Sequence, residues 1–166
     1  MKFKGRLEMR KPGAVRILNR IVTVANDGLE YEADQRHAEI LMTDMGIDEG
    51  SKGVTTPGSN SKGGQEVRGE VTGDRGESRY RAVAARGNDL GQDRMDTQFV
   101  AKEISRSTSK PEEQDWRAAK RLASYLKDHQ RVVLEHKYQK LPNQVVAWSD
   151  TEFAGCGRTR RSTHTA

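Results

Sequence analysis

Apolar residues change their spacing several times along this chain, and each change predicts an element. From Val15 to Val24 branched apolar residues crowd together, and Leu29-Glu30-Tyr31-Glu32 alternates apolar with acidic. Asn26-Asp27-Gly28 between them tolerates the positive φ of a tight turn, so the first prediction is a β-hairpin. The period then lengthens: Ala38, Leu41, Met42 and Met45 lie at i, i+3, i+4 and i+7. Asp34 is a natural N-cap for that helix and Gly46 suits its C′ position.

From Asp48 to Glu77 no apolar residue repeats, and glycines alternate with Ser, Thr, Lys and Glu around Pro57. This composition predicts a flexible linker. Its glycines do not cradle phosphate, because no Gly-Lys-Ser/Thr ending follows a strand and opens a helix.

Helical spacing returns with Tyr80, Val83 and Ala84, up to Gly87. A second helix is expected with Asp96 as N-cap and Phe99, Val100 and Ile104 on one side. In a third, Ser109 and Glu112 are spaced as a capping box, and Pro111 falls where a first-turn proline is tolerated. Trp116, Ala119, Ala123 and Leu126 form its apolar stripe, and Arg117, Lys120, Arg121 and Lys127 occupy the other faces. Two strands are then expected. Arg131 to Tyr138 would carry Val132, Leu134, His136 and Tyr138 on one face, and Gln144 to Asp150 would follow a turn at Leu141-Pro142-Asn143. The order of elements is that of an α+β fold.

Composition narrows the function. The 166 residues are 33% hydrophobic and 32% charged, with a net charge of +5. A folded chain of this length buries roughly 68–70% of its unfolded surface, so the core must be thin. The basic balance favours a polyanionic partner such as RNA or DNA, although a solvated basic surface explains it equally well. Cys156 is the only cysteine, which excludes an intrachain disulfide. No apolar run reaches the ~18–20 residues of a membrane span, and no signal-peptide pattern follows Met1, so an intracellular protein without a membrane partner is expected.

Few residues offer chemistry. His37, His129, His136 and His164 are scattered without zinc-like spacing. Asp44, Asp48 and Glu49 lack a calcium-loop pattern, and Cys156 has no partner that would make it a nucleophile. Asp150 and Glu152 differ by position: they follow the apolar run Val145-Val146-Ala147-Trp148 and precede Phe153-Ala154-Gly155. Two residues apart on a strand, both carboxylates would share a face and reach one divalent cation. A solvated strand end is the commoner arrangement for such a pair. The basic face of the helix through Lys127 could likewise track phosphates or simply be solvated.

Four ordered blocks resemble one family. Tyr80-Arg81-Ala82-Val83 is similar to a Tyr-Arg-x-x-Val-Gly helix start, and Arg94-Met95-Asp96 to Arg-Pro-Asp. The run from Trp116 to Lys127 resembles Trp-Lys-Ala-Ala-Lys-Arg-Ile-Leu-Arg-Tyr-Leu-Lys. Ser149-Asp150-Thr151-Glu152-Phe153-Ala154-Gly155 and Arg160-Arg161-Ser162-Thr163 resemble Ser-Asp-Ala-Asp-Trp-Ala-Gly and Arg-Arg-Ser-Thr-Ser-Gly. Together they resemble the Pol polyprotein of copia-type LTR retrotransposons, at the junction of reverse transcriptase and ribonuclease H. Val54-Thr55-Thr56-Pro57 is similar, less closely, to that family's Ser/Thr-Pro element after the polymerase palm.

The resemblance implies an α+β arrangement in four parts: a post-palm segment of hairpin and helix at 1–47, a Gly/Ser-rich linker at 48–78, a helical thumb- or connection-like region at 79–142, and the start of a ribonuclease H-like sheet at 143–166. It makes Asp150 the first metal-binding carboxylate, with Glu152 where the family has a second aspartate. Apart from the resemblance, the charge of the helix makes Arg117, Lys120, Arg121 and Lys127 the candidate phosphate contacts. Mg²⁺ is the parent enzyme's cofactor, RNA, DNA or an RNA–DNA hybrid its partner, and other Pol segments possible neighbours. The departures point to catalytic incompleteness. The sequence has no adjacent pair of aspartates, which a polymerase palm requires, and the further nuclease acids are expected beyond Ala166. A non-enzymatic, basic nucleic-acid-binding module is the competing expectation.

Overall fold

The computed structural model describes residues 8–11, 13–58, 74–141, 143–147, 150–152 and 163–165. The fold is α+β. Strands β1 (Glu8–Lys11), β2 (Ala14–Ile17), β3 (Arg20–Val24) and β4 (Gly28–Glu32) run as an antiparallel meander, followed by helix α1 (Arg36–Asp44). Helices α2 (Asp74–Asp93), α3 (Met95–Ser105) and α4 (Glu113–Asp128) come next, and then β5 (Val133–Lys137). A separate two-stranded sheet pairs β6 (Asp150–Glu152) with β7 (Thr163–Thr165).

The first hairpin is more finely divided than its apolar run predicts. Val15 to Val24 is two strands, not one, reversed at Leu18 and Asn19 with φ of 48° and 65°. Two consecutive positive φ values match the right-handed strand twist, which is why such turns close two-residue hairpins. Leucine is a poor residue for that conformation, so the turn is hidden in the sequence. The turn at Asn26-Asp27 lies where expected, with Ala25 N–H donating to the Gly28 carbonyl at 2.9 Å.

α1 ends as its sequence predicts. Gly46 has φ +67°, its amide bonds the Thr43 carbonyl, and the Ile47 amide reaches back to Met42. This pair of bonds is a Schellman motif. Asp34 takes the Arg36 amide at 3.1 Å, although the residue flanking the helix is Gln35.

The remaining helices depart from expectation in informative ways. α2 starts before Tyr80 and runs through Gly87 to Asp93. Gly87 is no stop: it is buried, and a Cβ there would lie 3.7 Å from Leu122 and 4.0 Å from Leu41. Gly91 is tighter, since its Cβ would meet that of Ala101 at 3.0 Å, so it lets α2 approach α3 closely. On α3 the inward face is Thr97, Val100, Ala101 and Ile104, whereas Phe99 is 66% exposed. α4 is capped by Glu112 with Asp115 rather than by Ser109 with Glu112. Its stripe gains Leu122 and Tyr125, with Trp116 only partly buried at the core's margin.

The core is helical: Leu41, Tyr80, Val83, Leu90, Ile104, Leu122 and Leu126 are its centre. Tyr80 donates to the Ile104 carbonyl at 2.8 Å and meets Trp116 edge to face at 5.4 Å. The sheet joins this core through polar links. Asp93, at the end of α2, accepts from Arg20 Nε and from the Tyr31 hydroxyl, both at 2.7 Å. A carboxylate at a helix C-terminus opposes the helix dipole, and these two donors offset that cost.

β5 lies beside β4, pairing Leu134 with Tyr31 and His136 with Leu29. The segments expected at 1–47 and 79–142 therefore share one sheet and one helical core. β5 is shorter than the strand expected from Arg131 to Tyr138. The strand expected from Gln144 to Asp150 is also absent as drawn: residues 144–147 have no regular structure, and Val145 is 90% exposed. Trp148 and Ser149 lie outside the described residues.

Candidate nucleic-acid interface

α4 presents the basic residues that the sequence singled out, but they divide into two pairs. Arg117 is 62% exposed at its side chain, with only a 3.5 Å pairing to Glu113 one turn earlier. Lys120 is exposed as well. An exposed pair of that kind contributes about 0–1 kcal/mol, so releasing Arg117 from Glu113 would cost little.

Arg121 and Lys127 are engaged inside the molecule. Arg121 donates from Nε to the Gly58 carbonyl at 3.1 Å and from Nη2 to Thr56 Oγ1 at 2.9 Å. Lys127 donates to the Glu49 carbonyl at 2.6 Å and to the Ser51 carbonyl. These bonds hold residues 48–58 along α4, with Val54 resting on the core. The front of the predicted linker is thus a strap, while its residues 59–73 lie outside the described ones. Apolar repetition could not reveal the strap, because three backbone carbonyls, one hydroxyl and the single apolar side chain of Val54 attach it.

Behind the basic face sits a buried clamp that sequence reasoning passed over. Arg94 is 1% exposed and forks onto Asp96, Nε to Oδ1 at 3.1 Å and Nη2 to Oδ2 at 2.5 Å. Its Nη1 donates to the His129 carbonyl at 2.5 Å, at the end of α4. Asp96 also accepts from the Tyr125 hydroxyl at 2.9 Å, and the Tyr125 ring stacks on His129 at 4.3 Å. Asp96 is therefore no N-cap; it is the second residue of α3 and the counter-charge of a buried cation. Burial works against its charge, but the bonds from Arg94 and Tyr125 and the charge of Arg94 outweigh it, holding the carboxyl below its ordinary value. The Arg-x-Asp spacing ahead of a helix was the available signal.

Asp150 and Glu152 occupy alternate positions on β6, opposite Thr165 and Thr163. Phe153 to Ser162, including Cys156 and Arg160-Arg161, lie outside the described residues. Among the described residues no group of three or more His, Cys, Asp or Glu side chains is placed to hold a metal ion. Two carboxylates on one short strand are too few for a two-cation nuclease centre, which sets its ions about 3.5–4 Å apart. Among the described residues no helix is long and apolar enough to cross a membrane.

A polar cleft of about 270 Å³ lies between the Leu18-Asn19 turn, the start of α1 and the end of α2. Both its arginines are already paired, Arg20 with Asp93 and Arg36 with Asp34. It therefore offers an anion less than the α4 face does.

The comparisons add no relative: the chain matches no family model, no curated protein and no solved structure.

Proposed function

We propose that this chain is the part of a copia-type Pol polyprotein that joins the reverse transcriptase to ribonuclease H, and that it binds nucleic acid without catalysing its cleavage. The supporting observation is that three of the four blocks carrying the resemblance touch one another. Tyr80 of the first block meets Trp116 of the third, and Arg94-Met95-Asp96 of the second locks onto Tyr125 of the third and onto His129 just beyond it. Four strings resembling one family would be scattered at random if they were coincidences of composition. Here three of them build a single helical core, with β5 leading from the clamp back into the sheet.

In this reading α4 supplies the phosphate contacts through Arg117 and Lys120, and Arg121 and Lys127 keep the strap from covering them. The partner is RNA, DNA or an RNA–DNA hybrid. Asp150 aligns with the family's first nuclease carboxylate, and among the described residues no cluster of three or more acids or histidines supports a cation there, which favours binding over hydrolysis. The missing pair of adjacent aspartates likewise leaves the chain without polymerase chemistry.

A stand-alone binding module is the second reading, favoured by the closed core of α1–α4. Both readings are tested by titrating an RNA–DNA hybrid at several salt concentrations. Each neutralised phosphate contributes a slope of about −0.9 in log K against log salt. Replacing Arg117 and Lys120 with alanine should therefore flatten the slope by about 1.8. An unchanged slope excludes α4 as the interface. Hybrid cleavage with Mg²⁺ or Mn²⁺ that disappears in Asp150→Asn would overturn the non-catalytic reading.

A further inference from the structure

We propose that Thr56 is a phosphorylation site for a proline-directed protein kinase, and that Arg121 is the built-in receptor for the phosphate. The inference stands apart from the Pol reading and rests on the strap. The chain has four prolines, and Thr56-Pro57 is the only place where a hydroxyl residue precedes one. Proline bars its predecessor from the helical region and holds it extended, the conformation in which a kinase cleft takes its substrate. Thr56 is exposed and lies in a stretch without regular secondary structure.

The receptor is already in place. Arg121 Nη2 lies 2.9 Å from Thr56 Oγ1 while its Nε is anchored on the Gly58 carbonyl at 3.1 Å. A guanidinium so aimed matches the planar fork by which arginine takes phosphate oxygens. Arg117, one turn earlier on α4, lies on the same side of the helix as Arg121 and is held only loosely by Glu113. No carboxylate residue occurs in the sequence from Gly50 to Gln65, so the strap's own acids, Asp48 and Glu49, are seven or more residues from the added charge.

In the reaction Thr56 Oγ attacks the γ-phosphorus of a nucleoside triphosphate held by the kinase. The new bond is Oγ–P; the bond between the γ-phosphorus and the bridging oxygen breaks and nucleoside diphosphate leaves. The hydroxyl proton goes to the kinase's general base. The product loses the Thr56 O–H bond to the Gly58 carbonyl, 3.1 Å in the unmodified chain, and gains charge-assisted bonds from Arg121. Phosphorylation should therefore tighten the strap on α4.

The test incubates the full chain, Thr56→Ala and Arg121→Gln with ATP and a proline-directed kinase. Intact mass, thermal melting and the rate of phosphatase removal are then read. One phosphoryl group is expected on the parent chain and on Arg121→Gln, and none on Thr56→Ala. The phosphate should raise the melting temperature of the parent chain only, and phosphatase should remove it several-fold faster from Arg121→Gln. No incorporation, or incorporation that survives Thr56→Ala, overturns the site. Equal melting and equal phosphatase rates in the parent chain and Arg121→Gln overturn the receptor.

Discussion

Replacing Arg94 or Asp96 should cost this fold several kcal/mol, and the two replacements should differ in a definite order. Arg94→Met removes a fork onto Asp96 and donors to the His129 and Gln130 carbonyls. The groups left behind are partly rescued: Gln130 is exposed, and Asp96 is 28% exposed and keeps the Tyr125 hydroxyl. Breaking a buried pair by removing one partner costs about 3–5 kcal/mol, and this access to water places Arg94→Met near the lower end, about 3 kcal/mol. Asp96→Asn leaves the opposite orphan. The guanidinium is 1% exposed and loses the carboxylate it forks onto, so its cost belongs at the upper end, about 5 kcal/mol.

For a chain of this size each kcal/mol moves the midpoint by roughly 2–4 °C. Arg94→Met should thus melt roughly 6–12 °C below the parent chain, and Asp96→Asn lower still. Urea unfolding followed by circular dichroism gives the free energies directly. The double variant Arg94→Met/Asp96→Leu leaves neither charge stranded and should be less destabilised than the two single costs added. A loss under about 1 kcal/mol for Arg94→Met, or an Asp96→Asn variant more stable than Arg94→Met, would refute the clamp as a buried charge pair.

The clamp and the Asp34–Arg36 pair also set the acid limb. Both aspartates are held below the ordinary carboxylate range, each because hydrogen bonds and charge outweigh burial. Their contribution is full above that range and is lost as pH falls through the lower folded pKa, so urea midpoints below about pH 4 should fall less steeply in Asp96→Asn than in the parent chain. Replacing Leu18-Asn19 with Asn-Gly should stabilise the protein by about 1 kcal/mol, because left-handed backbone costs an ordinary residue about 1–2 kcal/mol; an unchanged urea midpoint would count against the turn. Gly28→Ala should detach β5, since its Cβ would run into the His136 carbonyl, and hydrogen exchange in 133–137 would then rise to the level of an unprotected loop. Asp93→Asn should loosen the sheet while sparing the helices, visible as faster exchange in β3 and β4 without a matching change in α4.

The elements governed by local rules were legible in the sequence. The Schellman end of α1, the stripe of α4 and the turn at Asn26-Asp27 all follow from neighbours a few residues apart. What stayed hidden depends on distant partners. Leu18-Asn19 turns because β2 and β3 pair, and Gly91 lies mid-helix because Ala101 would stand 3.0 Å from a Cβ there. Phe99 drew the apolar reading of α3 away from Thr97 and Ala101, whose size suits the close approach of α2. Arg131 and Glu32 meet across 99 residues of sequence, beyond the reach of any periodicity.

The candidate interface shows why charge counted along a helix overstates what a partner can meet. The four cations of α4 carry one formal charge each, but two of them hold backbone carbonyls of the strap. Their alkyl stems and donors are spent before a phosphate arrives. Arg121→Ala should therefore act differently from Lys120→Ala. Loss of Lys120 subtracts a phosphate contact and flattens the salt slope by about 0.9 with no change in stability. Loss of Arg121 frees Thr56 and Gly58, so it should lower the melting temperature and expose 52–58 to protease while leaving the slope almost unchanged. If the two variants instead flatten the slope equally and melt alike, Arg121 faces the nucleic acid, and the strap moves aside when the partner binds.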